Sequence, residues 1–325
     1  MSFPLLRRPG AIAFLDDDAA YLEMLALVLP TRWHIELFQR QHLFINQLQQ
    51  EPSIWENDAW RQQDLVDQWR DGRPLIPIIL DYWRDVGSRY ALTQVCVVDY
   101  SMPGMNGLEV LGELSAWGGT RVLLTGQADE QIAVDAFNRG LIDQFIPKQS
   151  PGASQRVVRT IDDLLARPHP RLANLWQSTL TPAQNRLVST PSIARDLRAY
   201  AAGRWVEYVL IGRPFGILGL QADGSAEWLQ LEEAASLPDL ADLAESEGLA
   251  ADCVTEIRAG TKLINLEMLQ SLGLGGEPVL QSATRLGREP SLFAALFAID
   301  NAFHLSQDIS YGHWLARHSQ RELRE

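Results

Sequence analysis

A doubly wound parallel α/β sheet joined to a C-terminal α+β domain with a small antiparallel sheet is the architecture this sequence predicts, and three observations carry it. Short apolar runs at 11–15, 95–98, 121–124 and 143–147 alternate with helical patterns through brief links, as in open parallel sheets. Each run gives way at once to a polar residue: Asp16 and Asp17, Asp99, Thr125 and Lys148. Beyond residue 206 the period changes to short alternating strands, with Asp223-Gly224 as a hairpin turn and amphipathic helices after it.

The first run, Ala11–Leu15, leads into a helix with Leu22, Leu25, Ala26 and Leu29 on one face, ended by Pro30. Residues 34–38 form a second strand. The run at 95–98 ends on Asp99, and a turn-rich loop (SMPGMNG) precedes a helix with Val110, Leu111 and Leu114 on its apolar face. Residues 121–124 end on Thr125-Gly126. Asp129 can cap the next helix, which carries Ile132, Ala133, Ala136 and Phe137 and stops at Gly140. Residues 143–147 are the last strand and 154–166 the closing helix.

All four polar strand ends fall at the carboxyl edge of the sheet, where such folds hold ligands. Each has a structural reading on its own: an acid can cap a helix, a threonine can close a turn, a lysine can be a solvated charge. Together they have chemical sense. Clustered carboxylates without His or Cys nearby suit a hard cation such as Mg²⁺, and a lysine and a hydroxyl beside them suit phosphoryl oxygens.

The segments FLDDD, VVDYSMPGMNGLEVL, LLTG and FIPK resemble the four signature segments of response-regulator receiver domains, over roughly residues 11–166. The resemblance implies a flavodoxin-like, five-stranded receiver that takes a phosphoryl group on Asp99 from a histidine kinase or phosphotransfer protein. By it, Asp17, Asp99 and the main-chain carbonyl of Ser101 bind Mg²⁺, and Asp16 holds a metal water. Lys148 pairs with the phosphoryl group, the Thr125 hydroxyl moves to a phosphoryl oxygen, and Phe145 turns inward behind it. Ser101 and Gln127 stand where the family tunes the lifetime of the acyl phosphate. Gln149 stands where the family usually has a proline after the lysine. A cis bond there would cost ~2.5–4 kcal/mol, so a trans bond is expected.

Between Asp17 and Asp99 lie 81 residues, about twice what one helix, one strand and one more helix need. The surplus, about 51–91, reads as an inserted helical hairpin holding four of the ten tryptophans: Trp55, Trp60, Trp69 and Trp83. It covers its own chain or offers a partner surface. A homodimer, constant or induced by phosphorylation, is expected through this hairpin or the second domain.

The division expected is a receiver over 1–166, a linker over 167–170 (Arg167-Pro168-His169-Pro170) and an α+β output domain over 171–325. In the last, strands at 207–211, 216–221 and 226–231 precede helices at 240–247, 252–259, 263–272, 290–298 and 312–318. No catalytic set is visible there. The six histidines (His34, His42, His169, His304, His313, His318) are scattered, and Gly273, Gly275 and Gly276 lack a phosphate-loop lysine. A protein-interaction output is therefore expected, with a receiver-regulated enzyme or small-ligand domain as the alternative and a divergent DNA-binding regulator ranked below it. The only enzymatic chemistry expected is phosphorylation and dephosphorylation of Asp99 itself.

Composition narrows the partners. The formal net charge is -13, with 12 Lys/Arg against 20 Asp/Glu in residues 1–150 and 16 against 21 in 151–325. That balance, and the lack of a basic recognition helix after Thr181, argue against nucleic acid. No apolar run reaches 18 residues, and Cys96 and Cys253 stand alone in apolar surroundings, so a cytoplasmic protein with no membrane segment is expected.

Overall fold

The computed structural model describes residues 2–85, 87–126, 130–148, 151–167, 170–318 and 323–324. The chain divides into two compact units, and each contains more than one stretch of sequence. One holds the described residues of 9–60, 88–167 and 313–325; the other those of 1–8, 61–87 and 168–312. This differs from a single cut at 167–170 because strand Leu6–Arg7 pairs with Glu207–Gly212, while strand Leu323–Arg324 pairs with His34–Phe38. Both pairings are long-range and involve two-residue strands, below the length at which periodicity gives a signal.

The first unit is built on a parallel sheet. Its strands run Leu323–Arg324, His34–Phe38, Ala11–Leu15, Thr93–Asp99, Thr120–Thr125, Gln144–Pro147 across the sheet. The last five are the expected flavodoxin-like set, and the terminal strand extends one edge. Side chains alternate between two cores, as the strand period of two requires. Ile12, Phe14, Val95, Val97, Val122 and Leu124 meet Leu22, Leu25, Val157 and Ile161 on one face. Ala13, Leu15, Cys96, Val98 and Leu123 meet Phe44, Val110, Leu111, Ala133 and Ala136 on the other. The sheet is thus covered on both sides, and the polar side chains that follow its strands gather at the strand ends.

The insertion is helical, with helices Pro52–Arg70 and Leu75–Asp85 and a 3₁₀ turn at Gly87–Ala91. Its entry is tied down by a buried carboxylate. Glu51 accepts bonds from Thr93 Oγ1 (2.6 Å), Thr93 N (3.2 Å) and Trp117 Nε1 (2.8 Å). The tryptophans divide: Trp83 is buried, Trp55 and Trp69 are half-buried, and Trp60 is 59% exposed. Leu75, Ile76, Ile78, Ile79 and Leu80 are buried, so the second helix of the hairpin is core. It packs on helix Leu266–Leu272 in the same unit.

The second unit is an antiparallel six-stranded sheet in the order Leu6–Arg7, Glu207–Gly212, Phe215–Leu220, Ala226–Glu233, Ser291–Ala298, Thr284–Gly287. Residues 290–298, read as helix, are a strand from Ser291, hydrogen-bonded on both sides. An apolar run such as SLFAALFA has no period that separates the two states, and tertiary pairing decides. Residues 263–264 likewise lie in strand Lys262–Ile264, and the helix starts at Leu266. Helices Leu237–Ser246, Ala251–Arg258 and Tyr311–His318 lie close to the expected spans. Cys96 is buried and Cys253 partly exposed, both as free thiols.

Glu232 is 8% exposed and accepts bonds from Gln230 Nε2 (2.9 Å) and Ser236 Oγ (2.5 Å). Burial pushes its carboxyl up to about 7, against the pull of these two donors. The folded chain therefore keeps a proton that the unfolded chain gives up, and stability falls as pH rises through about 7. In denaturant titrations between pH 4.5 and 7.5, the wild type is expected to lose about 3 kcal/mol relative to Glu232→Gln. Parallel pH curves for the two proteins would contradict this.

Candidate functional site

Register brings the polar strand ends together. Leu15 pairs with Val98, which sets Asp16 beside Asp99; Asp99 pairs with Leu124, and Thr125 with Pro147, which sets Thr125 one step and Lys148 two steps further along the edge. The chain leaves the adjacent strands Ala11–Leu15 and Thr93–Asp99 in opposite directions, so a crevice opens between them.

Local chemistry fixes the loops around that crevice. Of the three acids at 16–18, Asp18 is a helix cap, its Oδ1 accepting from Ala20 N (3.0 Å) and Tyr21 N (3.2 Å). Asp16 Oδ1 accepts from Asp18 N at 3.1 Å, which holds its carboxylate toward the crevice. After Asp99 the loop closes through Gly107 N donating to Tyr100 O (3.0 Å). A Cβ on Gly107 would stand 2.3 Å from the Asp99 carbonyl oxygen, so only glycine lets the next helix begin there. Asn106 and Glu109 form a capping box at that helix start.

Lys148 joins the acids. Its Nζ lies 2.6 Å from Asp16 Oδ2 and 2.8 Å from Asp99 Oδ1, and 4.6 Å from the centre of the Tyr21 ring. Asp16 and Asp99 are buried and Asp17 is exposed at the rim; ligand oxygens of the three lie within 4.8 Å of one another. Burial pushes the Asp16 carboxyl up to about 6, with Lys148 pulling it down and Asp99 pushing it further up. Burial works against the charge on Lys148, but the two carboxylates outweigh it and hold its ammonium above the usual lysine range. Tyr21 is pushed up to about 12, by burial first and then by Asp16 and Asp99.

Thr125 is fully buried, and its Oγ1 has no hydrogen-bond partner among the described residues. An unpaired buried hydroxyl costs stability, of order 1–3 kcal/mol, and marks a group with a partner to gain. Phe145 is half-buried against the core of the adjacent face, and Ser101 is exposed at the mouth. Gln127, Asp129 and Gln149 lie outside the described residues, as do Pro168 and His169 of the expected linker.

The donor set fits a hard divalent cation: oxygen ligands only, two or three carboxylates close together, and open solvent on the side of Asp17. Three carboxylates against one ammonium also leave negative charge that a cation would balance. Tyr21 is the member of the site that sequence reading passed over. Nothing in its helical position predicts that its ring face meets the lysine.

Comparison with known proteins gives a fold. No family model matches the chain, and no curated protein matches it. Among solved structures, the chain is similar to the Legionella pneumophila response regulator LqsR, at 23% identity over 97% of each chain with a TM-score of 0.69. Receiver domains also match: a response regulator receiver domain protein from Clostridium thermocellum (14% identity, 48% of this chain and 94% of that one, TM-score 0.30). A CheY-like receiver domain protein from Methanospirillum hungatei matches at 17% identity over 48% and 94%, also with a TM-score of 0.30. The chain therefore has the fold of a response regulator, with a receiver-type parallel sheet and an antiparallel sheet in the rest of the molecule.

Asp16 would hold a metal-bound water as a carboxylate, and the carboxyl pushed up to about 6 would lose that hold on Mg²⁺ when protonated. Mg²⁺ affinity, read by calorimetry, is expected to fall at least tenfold between pH 7.5 and pH 5, with proton release on binding between pH 5 and 6. An affinity unchanged over that range would contradict the assignment of Asp16.

Proposed function

We propose that this chain is a cytoplasmic two-component response regulator that accepts a phosphoryl group on Asp99. The observation that carries the reading is the Lys148 ammonium held between Asp16 and Asp99, with an unpaired, buried Thr125 hydroxyl at the neighbouring strand end. The donor is a phosphohistidine on a histidine kinase or phosphotransfer protein. An Asp99 carboxylate oxygen attacks phosphorus, the P–N bond breaks, and the imidazole leaves with its electron pair and takes a proton from solvent. Mg²⁺, held by Asp17, Asp99 and the Ser101 carbonyl with Asp16 on a metal water, supplies charge neutralisation of the phosphoryl oxygens.

The chain's own residues do the rest. Lys148 exchanges its Asp99 contact for a phosphoryl oxygen. Thr125 turns its hydroxyl to a second oxygen and satisfies its bond. Phe145, half-buried, moves into the space behind Thr125. These contacts exist only with phosphate present, so they bias a two-state element. Ser101 and Gln127, at the rim, set how readily water reaches the acyl phosphate.

With acetyl phosphate and Mg²⁺, intact mass is expected to show one phosphate adduct on the wild type and none on Asp99→Ala. Lys148→Ala is expected to accept phosphate yet to lose the response of its near-ultraviolet spectrum to beryllofluoride. An undiminished adduct on Asp99→Ala would contradict the reading.

The output is a protein contact, including self-association. Exposed apolar side chains support it: Trp60 at 59%, Ile54 at 42% and Leu27 at 86% in the parallel-sheet unit. A stable dimer needs ~800 Å² per partner, more than these three residues alone supply. Light scattering at tens of micromolar is expected to give a dimer with beryllofluoride, weakened by Trp60→Ala. A monomer in both states would refute self-association.

A further inference from the structure

A cavity of about 670 Å³ opens in the antiparallel-sheet unit, within the range of small-molecule sites. Three arginines line it: Arg70 and Arg73, from the end of helix Pro52–Arg70 and the turn after it, and Arg213, between strands Glu207–Gly212 and Phe215–Leu220. Trp69 supplies a half-buried aromatic wall, and Glu267 and Ser271 of helix Leu266–Leu272 complete the lining. Three guanidinium groups face one carboxylate in the lining, and with Arg70 also paired to Asp67 they leave one positive charge over, on a chain whose net charge is -13.

The arginines are partly held in place. Arg70 donates from Nη1 to Asp67 (2.9 Å) and from Nη2 to Ser178 Oγ (3.1 Å), and Arg73 donates to Gln68 Oε1. A guanidinium has five N–H donors in a fixed fork, so these bonds orient it and leave donors over. Ser271 Oγ is buried and has no hydrogen-bond partner among the described residues, although its residue lines the cavity. Glu267 stands in the mouth, reached by water but walled by protein; burial raises its carboxyl and the charge of Arg213 opposes the rise.

We propose that this cavity binds a small phosphate monoester. The arginine forks take the phosphate oxygens, Trp69 packs against the apolar or ring portion, and Glu267 accepts from a ligand hydroxyl or amine. Phosphate suits the forks because two parallel N–H donors match two of its oxygens. Glu267 opposite them disfavours a ligand that is anionic throughout, so a monoester with a donor-bearing body fits better than a polyphosphate. None of these residues belongs to the phosphoryl-acceptor site, and the inference stands or falls independently of Asp99.

Calorimetry on the full chain with AMP and with glucose 6-phosphate, against adenosine and glucose as uncharged controls, tests it. At least one ester is expected to bind at a Kd of about 1 mM or tighter. Arg213→Ala and Arg73→Ala, both at exposed positions, are each expected to weaken that binding at least tenfold. Arg213→Lys, which keeps the charge but loses the fork, is expected to recover part of it. Asp99→Ala and the remote Arg195→Ala are expected to bind as the wild type does. Binding of neither ester, binding unaltered in Arg213→Ala and Arg73→Ala, or equal binding of the uncharged controls would overturn the proposal.

Discussion

One ammonium group and two carboxylates at the end of a parallel sheet covered on both faces set the terms for the rest of this molecule. Lys148 spans Asp16 and Asp99 at 2.6 and 2.8 Å, where both acids are nearly shut off from water. Removing such charges from water is costly unless each is paired, and one lysine cannot balance three acids. The site is therefore left short of positive charge and rich in oxygen ligands. It also leaves the Thr125 hydroxyl buried without a partner, a second unmet demand a few ångströms of strand away. A divalent cation with a phosphoryl group, as proposed above, would answer both demands.

That arrangement depends on register more than on any local preference. Pairing Leu15 with Val98 and Asp99 with Leu124 brings residues from four distant stretches to one edge. A slip of one residue in any strand would turn its apolar side chains from one core to the other, so the two cores on the faces hold the register and thereby the site. Gly107 adds a closer constraint, because the helix that follows Asp99 starts against that residue's own carbonyl oxygen.

The strand ends were legible in the sequence because each apolar run is short, bounded, and followed at once by a polar residue. Asp16, Asp17, Asp99, Thr125 and Lys148 meet where that pattern places them. Tyr21 was not legible: it faces the lysine through the packing of a helix on the sheet, which leaves no mark on spacing. Residues 290–298 were misread because an unbroken apolar run carries no period, and hydrogen bonds to Ala226–Glu233 and Thr284–Gly287 settle its state. The two-residue strands Leu6–Arg7 and Leu323–Arg324 are fixed by partners far away in the chain, and they account for the interleaving of the two units. The three arginines of the cavity are likewise scattered over more than a hundred residues of sequence and form a group only in the fold.

The account rests on Asp99, rather than its neighbours Asp16 and Asp17, being the carboxylate that carries the phosphoryl group. Borohydride reduction of the phosphorylated protein converts an aspartyl phosphate to homoserine, and peptide sequencing by mass spectrometry then locates it. Homoserine at position 99 alone is the predicted result. Homoserine at position 16 or 17, or none anywhere after treatment with a phosphoryl donor and Mg²⁺, would contradict the account.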